Sequence, residues 1–150
     1  MSWNDLRVGR YSQAHGEYLV TFNTHNRITF FDDFELAHLF CQHIAFNERL
    51  HQCTWLTWVL MPDHFHGLLR LDSADAELSK VVGALKGASA HVINKHLNSK
   101  GKLWQSSFHD RALRAEESRI HIARYIVGNP LRKELVTDVK DYPFWNSVYL

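Results

Sequence analysis

Apolar and polar positions alternate in blocks of different period along the chain, and the blocks predict its elements. Tyr18-Leu19-Val20-Thr21-Phe22-Asn23 is rich in aromatic and β-branched residues and predicts a first strand, followed by a turn at Asn26-Arg27. Asp32, with Glu35 three residues on, reads as a capping box that opens a helix. Leu36, Leu39, Phe40 and Ile44 then recur at helical spacing, to about Leu50. Residues 54–60 are apolar on both faces, as in a central strand. Met61-Pro62-Asp63 interrupts them, and a further strand from His64 to Leu71 completes a hairpin. A second helix is predicted from Leu78 to Leu97, with Gly83 and Gly87 weakening its interior. A fourth strand is expected near residues 108–113, and a third helix opens at Glu116-Glu117 and ends at Asn129-Pro130.

The order is β-α-β-β-α-β with an added C-terminal helix. It predicts an α+β, ferredoxin-like sandwich: a four-stranded antiparallel sheet with two helices on one face and the other face left open for a site. The last dozen residues look too short to cover a surface. The chain has 150 residues, which suits one domain over 1–150, and its 45% hydrophobic content excludes a disordered tail. Cys41 and Cys53 are too few for a disulfide framework and lack paired zinc spacing, so a reducing cytoplasm is expected. No apolar run approaches a membrane span, and Met1-Ser2-Trp3-Asn4-Asp5 lacks the layout of a secretion signal.

Charge changes the picture. The net charge of +1 hides an asymmetry: residues 1–79 sum to −5, residues 80–135 to +7, and the remainder to −1. A basic second half suggests an anionic partner, with nucleic acid first among the classes to consider.

Of the 11 histidines, two are placed in a pattern. His64 and His66 lie two apart on a predicted strand, so they share one face with Leu68 and Arg70. Phe65, Gly67, Leu69 and Leu71 form the opposite, core face. Two neutral imidazoles side by side on a strand can hold one divalent metal, although an exposed polar face that happens to use histidine has the same pattern. The other nine histidines follow no ligand spacing and are assigned to surface and core polar roles. In the last helix, Ile122, Ala123, Ile126 and Val127 form an apolar stripe with Tyr125 and Asn129 at its edge, four residues apart and on one face. A tyrosine there is consistent with a reactive group or with simple packing. Asn129, preceding a proline, reads as the helix C-cap.

Taken together, four segments resemble the single-tyrosine HUH transposases. Val59-Leu60-Met61-Pro62-Asp63-His64-Phe65-His66-Gly67-Leu68-Leu69 is similar to their "vMPNHvHlll" segment. Leu103-Trp104-Gln105-Ser106-Ser107-Phe108-His109-Asp110 is similar to "lWQ..F.d", and Arg124-Tyr125-Ile126-Val127-Gly128-Asn129-Pro130-Leu131-Arg132 to "rYI..NPvr". Residues 141–149 resemble the closing "dyPwSSy". The Asn-Pro after the tyrosine and the Trp-Gln segment point to the REP-associated branch. Asp63 departs from the family pattern by standing where Asn is usual, and the end reads Phe-Trp-Asn-Ser rather than Pro-Trp-Ser-Ser.

The resemblance implies the same ferredoxin-like fold and a metal-dependent endonuclease and strand transferase acting on single-stranded DNA beside hairpins. Tyr125 would attack a phosphodiester, forming a 5′-phosphotyrosine link and releasing a 3′-hydroxyl; a second 3′-hydroxyl can reverse the step. His64, His66 and the amide oxygen of Asn129 would hold Mg²⁺ or Mn²⁺. The basic half supplies candidate phosphate contacts in Lys80, Lys86, Lys95, Arg111 and Arg114. Trp104 would stack an unpaired base or pack in the core, and Gln105 would read a base. Family members occur as monomers and as dimers that exchange the tyrosine helix, so a homodimer stays open. The alternative class is a catalytically silent ferredoxin-like nucleic-acid-binding protein, which would bind DNA without metal.

Overall fold

In the computed structural model residues 15–150 are described, so the N-terminal segment read above for a secretion signal lies outside the described residues. The strands are β1 (Glu17–Asn23), β2 (Cys53–Met61), β3 (His64–Leu71), β4 (His109–Ala112) and β5 (Trp145–Ser147). The helices are α1 (Phe34–His51), α2 (Leu78–Leu97), α3 (Arg119–Val127) and the short α4 (Asn129–Arg132). All strand pairs are antiparallel, in the order β4-β1-β3-β2-β5. Among the described residues the architecture is mixed α+β, with one five-stranded sheet and four α-helices.

The expected four strands are therefore one short. Backbone pairing of Trp145–Ser147 with β2, together with the Thr57–Ser147 hydroxyl contact at 2.8 Å, adds a fifth strand to the edge of β2. The tail that seemed too short to cover anything also places Tyr142, Trp145 and Tyr149 against the sheet.

Each face of the sheet has its own core. On one face, Tyr18, Val20 and Phe22 of β1, Trp55 and Leu60 of β2, and Phe65, Leu69 and Leu71 of β3 pack against α1 and α2. Phe40 and Trp104 close this cluster, with Phe22–Phe65 ring centroids 5.0 Å apart and Phe40–Trp104 5.5 Å. Gly67 is required here: a Cβ on it would meet the Trp55 ring at 2.9 Å. On the other face, Leu56, Val59, Met61 and Leu68 pack against Ile126 of α3, with Ile122 beside it. That face is not left open as expected. A bulge in β2 between Trp55 and Thr57 turns Leu56 to the α3 side and shifts the alternation, so that Trp58 and Leu60 face the helix pair and Val59 and Met61 face α3.

Local chemistry moved several predicted boundaries. The cap of α1 is Asp33, whose carboxylate accepts from the Glu35 and Leu36 amides at 2.9 and 3.2 Å. Asp32 instead ends a 3₁₀ turn that buries Phe31. The cap of α3 is Ser118, and Glu117 is used before the helix, accepting from the Arg114 amide at 2.8 Å. The helix ends at Gly128, not at Asn129, which starts the next turn with Pro130 in its first turn, where a missing amide hydrogen costs nothing. Among the described residues no helix is long and apolar enough to cross a membrane.

Candidate active site

The hairpin of β2 and β3 sets the position of the two histidines. His64 pairs with Met61 and His66 with Val59, both on the α3 face, so both imidazoles project toward α3. The sheet register adds neighbours on the same face. Asn23 lies opposite His64, and Thr21 lies opposite both His66 and His109 of the edge strand. Arg111, opposite Leu19, also points to this side. These residues make a polar lane over β1 and β4, beside the part of the sheet that α3 covers.

The two imidazoles differ in environment. Burial, with the nearby His64 imidazole and Arg132 guanidinium adding to it, pulls His66 down to about 4, which favours the neutral base at physiological pH. The His64 side chain is 12% exposed, and its Nδ1 lies 2.9 Å from Asp63 Oδ1. Burial tends to raise the Asp63 carboxyl, but hydrogen bonds from His64 and Arg27 outweigh it and hold the group below the usual carboxylate range.

Tyr125 is 61% exposed on the edge of α3, away from the buried stripe of Ala123, Ile126 and Val127. Its ring stands edge-on to His66 at 6.5 Å between centroids. The Arg132 guanidinium lies over the tyrosine ring at 4.0 Å and donates to the Tyr125 carbonyl. The chain reaches this arrangement by breaking the helix at Gly128, where a Cβ would sit 2.9 Å from both the Arg124 carbonyl and Arg132 Nη1. The Asn129 side chain turns back on the helix, with Nδ2 donating to the Ile126 carbonyl at 3.0 Å. Its oxygen is the end of the amide suited to a cation.

By donor type the expected ligands suit a divalent ion: one imidazole held neutral by burial, one hydrogen-bonded to a carboxylate, and the Asn129 amide oxygen as the expected third donor. Among the described residues no cluster of three or more His, Cys, Asp or Glu side chains is grouped for a metal, so a third protein ligand here would have to be of another type. Both thiols lie outside such chemistry, since burial pushes Cys41 and Cys53 up to about 12.

The predicted DNA contacts divide. Arg111 and Arg114 are exposed near the β4 edge, with Arg111 ion-paired to Glu117 at 2.8 Å. Lys80 and Lys95 are exposed on α2, which packs on the opposite face from the histidines. Lys86 is used within the fold: its ammonium donates to the Gln105 and Ser107 carbonyls at 2.7 and 3.0 Å and sits over the Phe22 ring. Gln105 is half-buried, and its backbone N–H donates to the Asn23 carbonyl at 2.9 Å. Trp104 is 5% exposed, donates to Ser89 Oγ at 3.0 Å and stacks on Phe31, so it is a core residue and not a platform for a base. Arg132 and His109 were not singled out from sequence. Arg132 lies seven residues after Tyr125, a same-face spacing across the Gly128 break, whereas His109 is revealed only by strand register.

Residues 12–129 match the family model of IS200-like transposases, and the chain belongs to that family. A REP-associated tyrosine transposase from Escherichia coli strain K12 is 29% identical over 87 residues, covering 58% of this chain and 50% of that protein. The chain thus spans half the length of this curated relative. A solved REP-associated tyrosine transposase bound to a REP hairpin superposes with a TM-score of 0.77 at 25% identity, covering 91% of this chain and 79% of the other. A proposed transposase from Deinococcus radiodurans R1 superposes with a TM-score of 0.57 at 25% identity, covering 76% and 91%.

Proposed function

We propose that the chain is a metal-dependent single-stranded DNA endonuclease and strand transferase of the REP-associated kind, acting beside DNA hairpins, with Tyr125 as nucleophile. The observation that carries this reading is the exposed Tyr125 ring edge-on to the buried, neutral His66 of the same chain. The order β4-β1-β3-β2 with α1 and α2 on one face supports a ferredoxin-like βαββαβ scaffold, extended by β5.

His64, His66 and the Asn129 oxygen would hold Mg²⁺ or Mn²⁺, which when bound supplies charge stabilisation at the scissile phosphate. The Tyr125 oxygen attacks phosphorus and loses its proton; the bond from phosphorus to the 3′-oxygen breaks, and that oxygen leaves as a 3′-hydroxyl. The strand stays linked to Tyr125 through its 5′-phosphate. Attack by another 3′-hydroxyl restores the phosphodiester and the phenol, so bond energy is conserved and no nucleotide cofactor is needed. Arg132, packed on the tyrosine ring, holds the nucleophile and places positive charge beside the developing phosphate charge. The lane of Asn23, Thr21, His109 and Arg111 offers a polar path for the single-stranded flank.

The test is a denaturing gel of a labelled REP-type hairpin oligonucleotide with Mn²⁺. The native chain is expected to yield a protein–DNA adduct, and Tyr125→Phe none, with hairpin affinity retained. A native chain that binds the hairpin equally well in EDTA and forms no adduct would establish the silent binding protein instead.

A further inference from the structure

The turn that packs against the β2–β3 hairpin is built at a conformational cost. Asn26 and Arg27 both adopt left-handed backbone angles, φ 54° and 55°, in a 3₁₀ turn between β1 and α1. Asparagine tolerates this region; arginine rarely occupies it without compensation. The compensation is visible in the contacts. The buried Thr24 donates from its amide to the Asp63 carbonyl at 2.9 Å and from its hydroxyl to the Ile28 carbonyl at 2.7 Å, tying this turn to the β2–β3 hairpin. Arg27 then reaches across the hairpin, placing Nε 2.9 Å and Nη2 2.8 Å from Asp63 Oδ2. The second carboxylate oxygen, Oδ1, is 2.9 Å from His64 Nδ1.

A carboxylate has no proton to give, so the hydrogen on the Asp63–His64 bond belongs to Nδ1. The lone pair of the neutral ring is then on Nε2. We infer that Asp63 is a positioning residue for His64: clamped by Arg27, its carboxylate fixes the imidazole in the Nδ1–H tautomer and so presents Nε2 as a ligand atom. The inference rests on the metal-site reading above for its purpose, but not for its geometry. An asparagine oxygen would still accept from Nδ1, but its NH₂ would meet the Arg27 donors, whereas aspartate serves both neighbours at once.

The experiment reads the His64 ring directly. Ring nitrogen shifts of ¹⁵N-histidine-labelled, metal-free protein at neutral pH are expected to report Nδ1–H for His64 in the native chain. Asp63→Ala is expected to convert the ring to the Nε2–H form or a mixture, and Asp63→Asn to restore Nδ1–H. In a second arm, calorimetric titration with Zn²⁺ as a diamagnetic probe is expected to show at least about tenfold weaker binding for Asp63→Ala than for the native chain. A folded Asp63→Ala protein that keeps the native tautomer overturns the inference, as does Asp63→Asn behaving like Asp63→Ala. A native chain that takes up no Zn²⁺ refutes the metal site itself, and the tautomer arm still decides the role of Asp63.

Discussion

The two faces of the sheet are built from the same strands by opposite rules. The face under α1 and α2 is continuous and apolar, and even its polar members are internally satisfied: Trp104 donates to Ser89, Trp55 Nε1 to Asn47 at 2.8 Å, and Asn47 Nδ2 to the Val81 carbonyl at 3.0 Å. The face under α3 mixes a small apolar cluster with His64, His66, Thr21 and Asn23, and its covering helix leaves Tyr125 exposed. The first face accounts for stability. The second gives up burial at Tyr125, the proposed nucleophile, so substitutions on the two faces should separate folding from the proposed chemistry.

Trp104→Ala is the largest expected test of that separation. Removing a buried indole that packs on Phe22, Phe31 and Phe40 should cost about 3–5 kcal/mol of stability in denaturant unfolding. The loss would appear without DNA. A variant of native stability with reduced affinity for single-stranded DNA would move Trp104 from the structural face to the binding role suggested by its motif.

Trp104 also marks the limit of what the sequence made legible. The order of β1 through β4 with their helices, the bounds of β3 and α2, and the shared face of His64 and His66 follow from local pattern, composition and turn residues, because each depends on residues adjacent in the chain. β5 was missed because three residues carry almost no periodic signal, and their pairing with β2 is fixed by contacts across some 90 positions. The same reason hid His109, which reaches the site face only through the register of β4 on β1, and Arg27, which meets Asp63 across two turns. Trp104 was ambiguous because base-stacking and core-filling residues have identical chemistry until burial is known. The charge asymmetry misled for Lys86, whose ammonium binds backbone carbonyls of the neighbouring loop.

Arg132→Ala gives the next largest effect, on the other face. Arg132 lies at the end of an exposed turn and supports no core, so the melting temperature should barely change. Loss of its charge beside the Tyr125 ring should slow adduct formation by about 10²-fold. Arg132→Lys should recover part of the rate, since the charge returns without the planar guanidinium that stacks on the phenol ring. Equal loss of stability and rate would mean that the α3–α4 break, and not the cation, is the contribution.

The smallest effect concerns a titrating group of the site face, His66. His66 is held down to about 4 by burial, against an unperturbed value near 6.5 in the unfolded chain. Above pH 6.5 neither state binds the proton and His66 contributes no pH dependence. As the pH falls from 6.5 toward 4, the unfolded chain takes up a proton that the folded chain refuses, so stability declines through that window. The full decline attributable to this group is about 3 kcal/mol, of which about 2 kcal/mol falls between pH 7 and pH 4.5, and below pH 4 it levels off because both states are protonated. Denaturant unfolding of metal-free protein at pH 7 and pH 4.5 should show a smaller drop for His66→Gln than for the native chain. An identical drop in both would mean that the imidazole takes up its proton as readily in the fold as in the unfolded chain, so burial would not be what keeps His66 a neutral base.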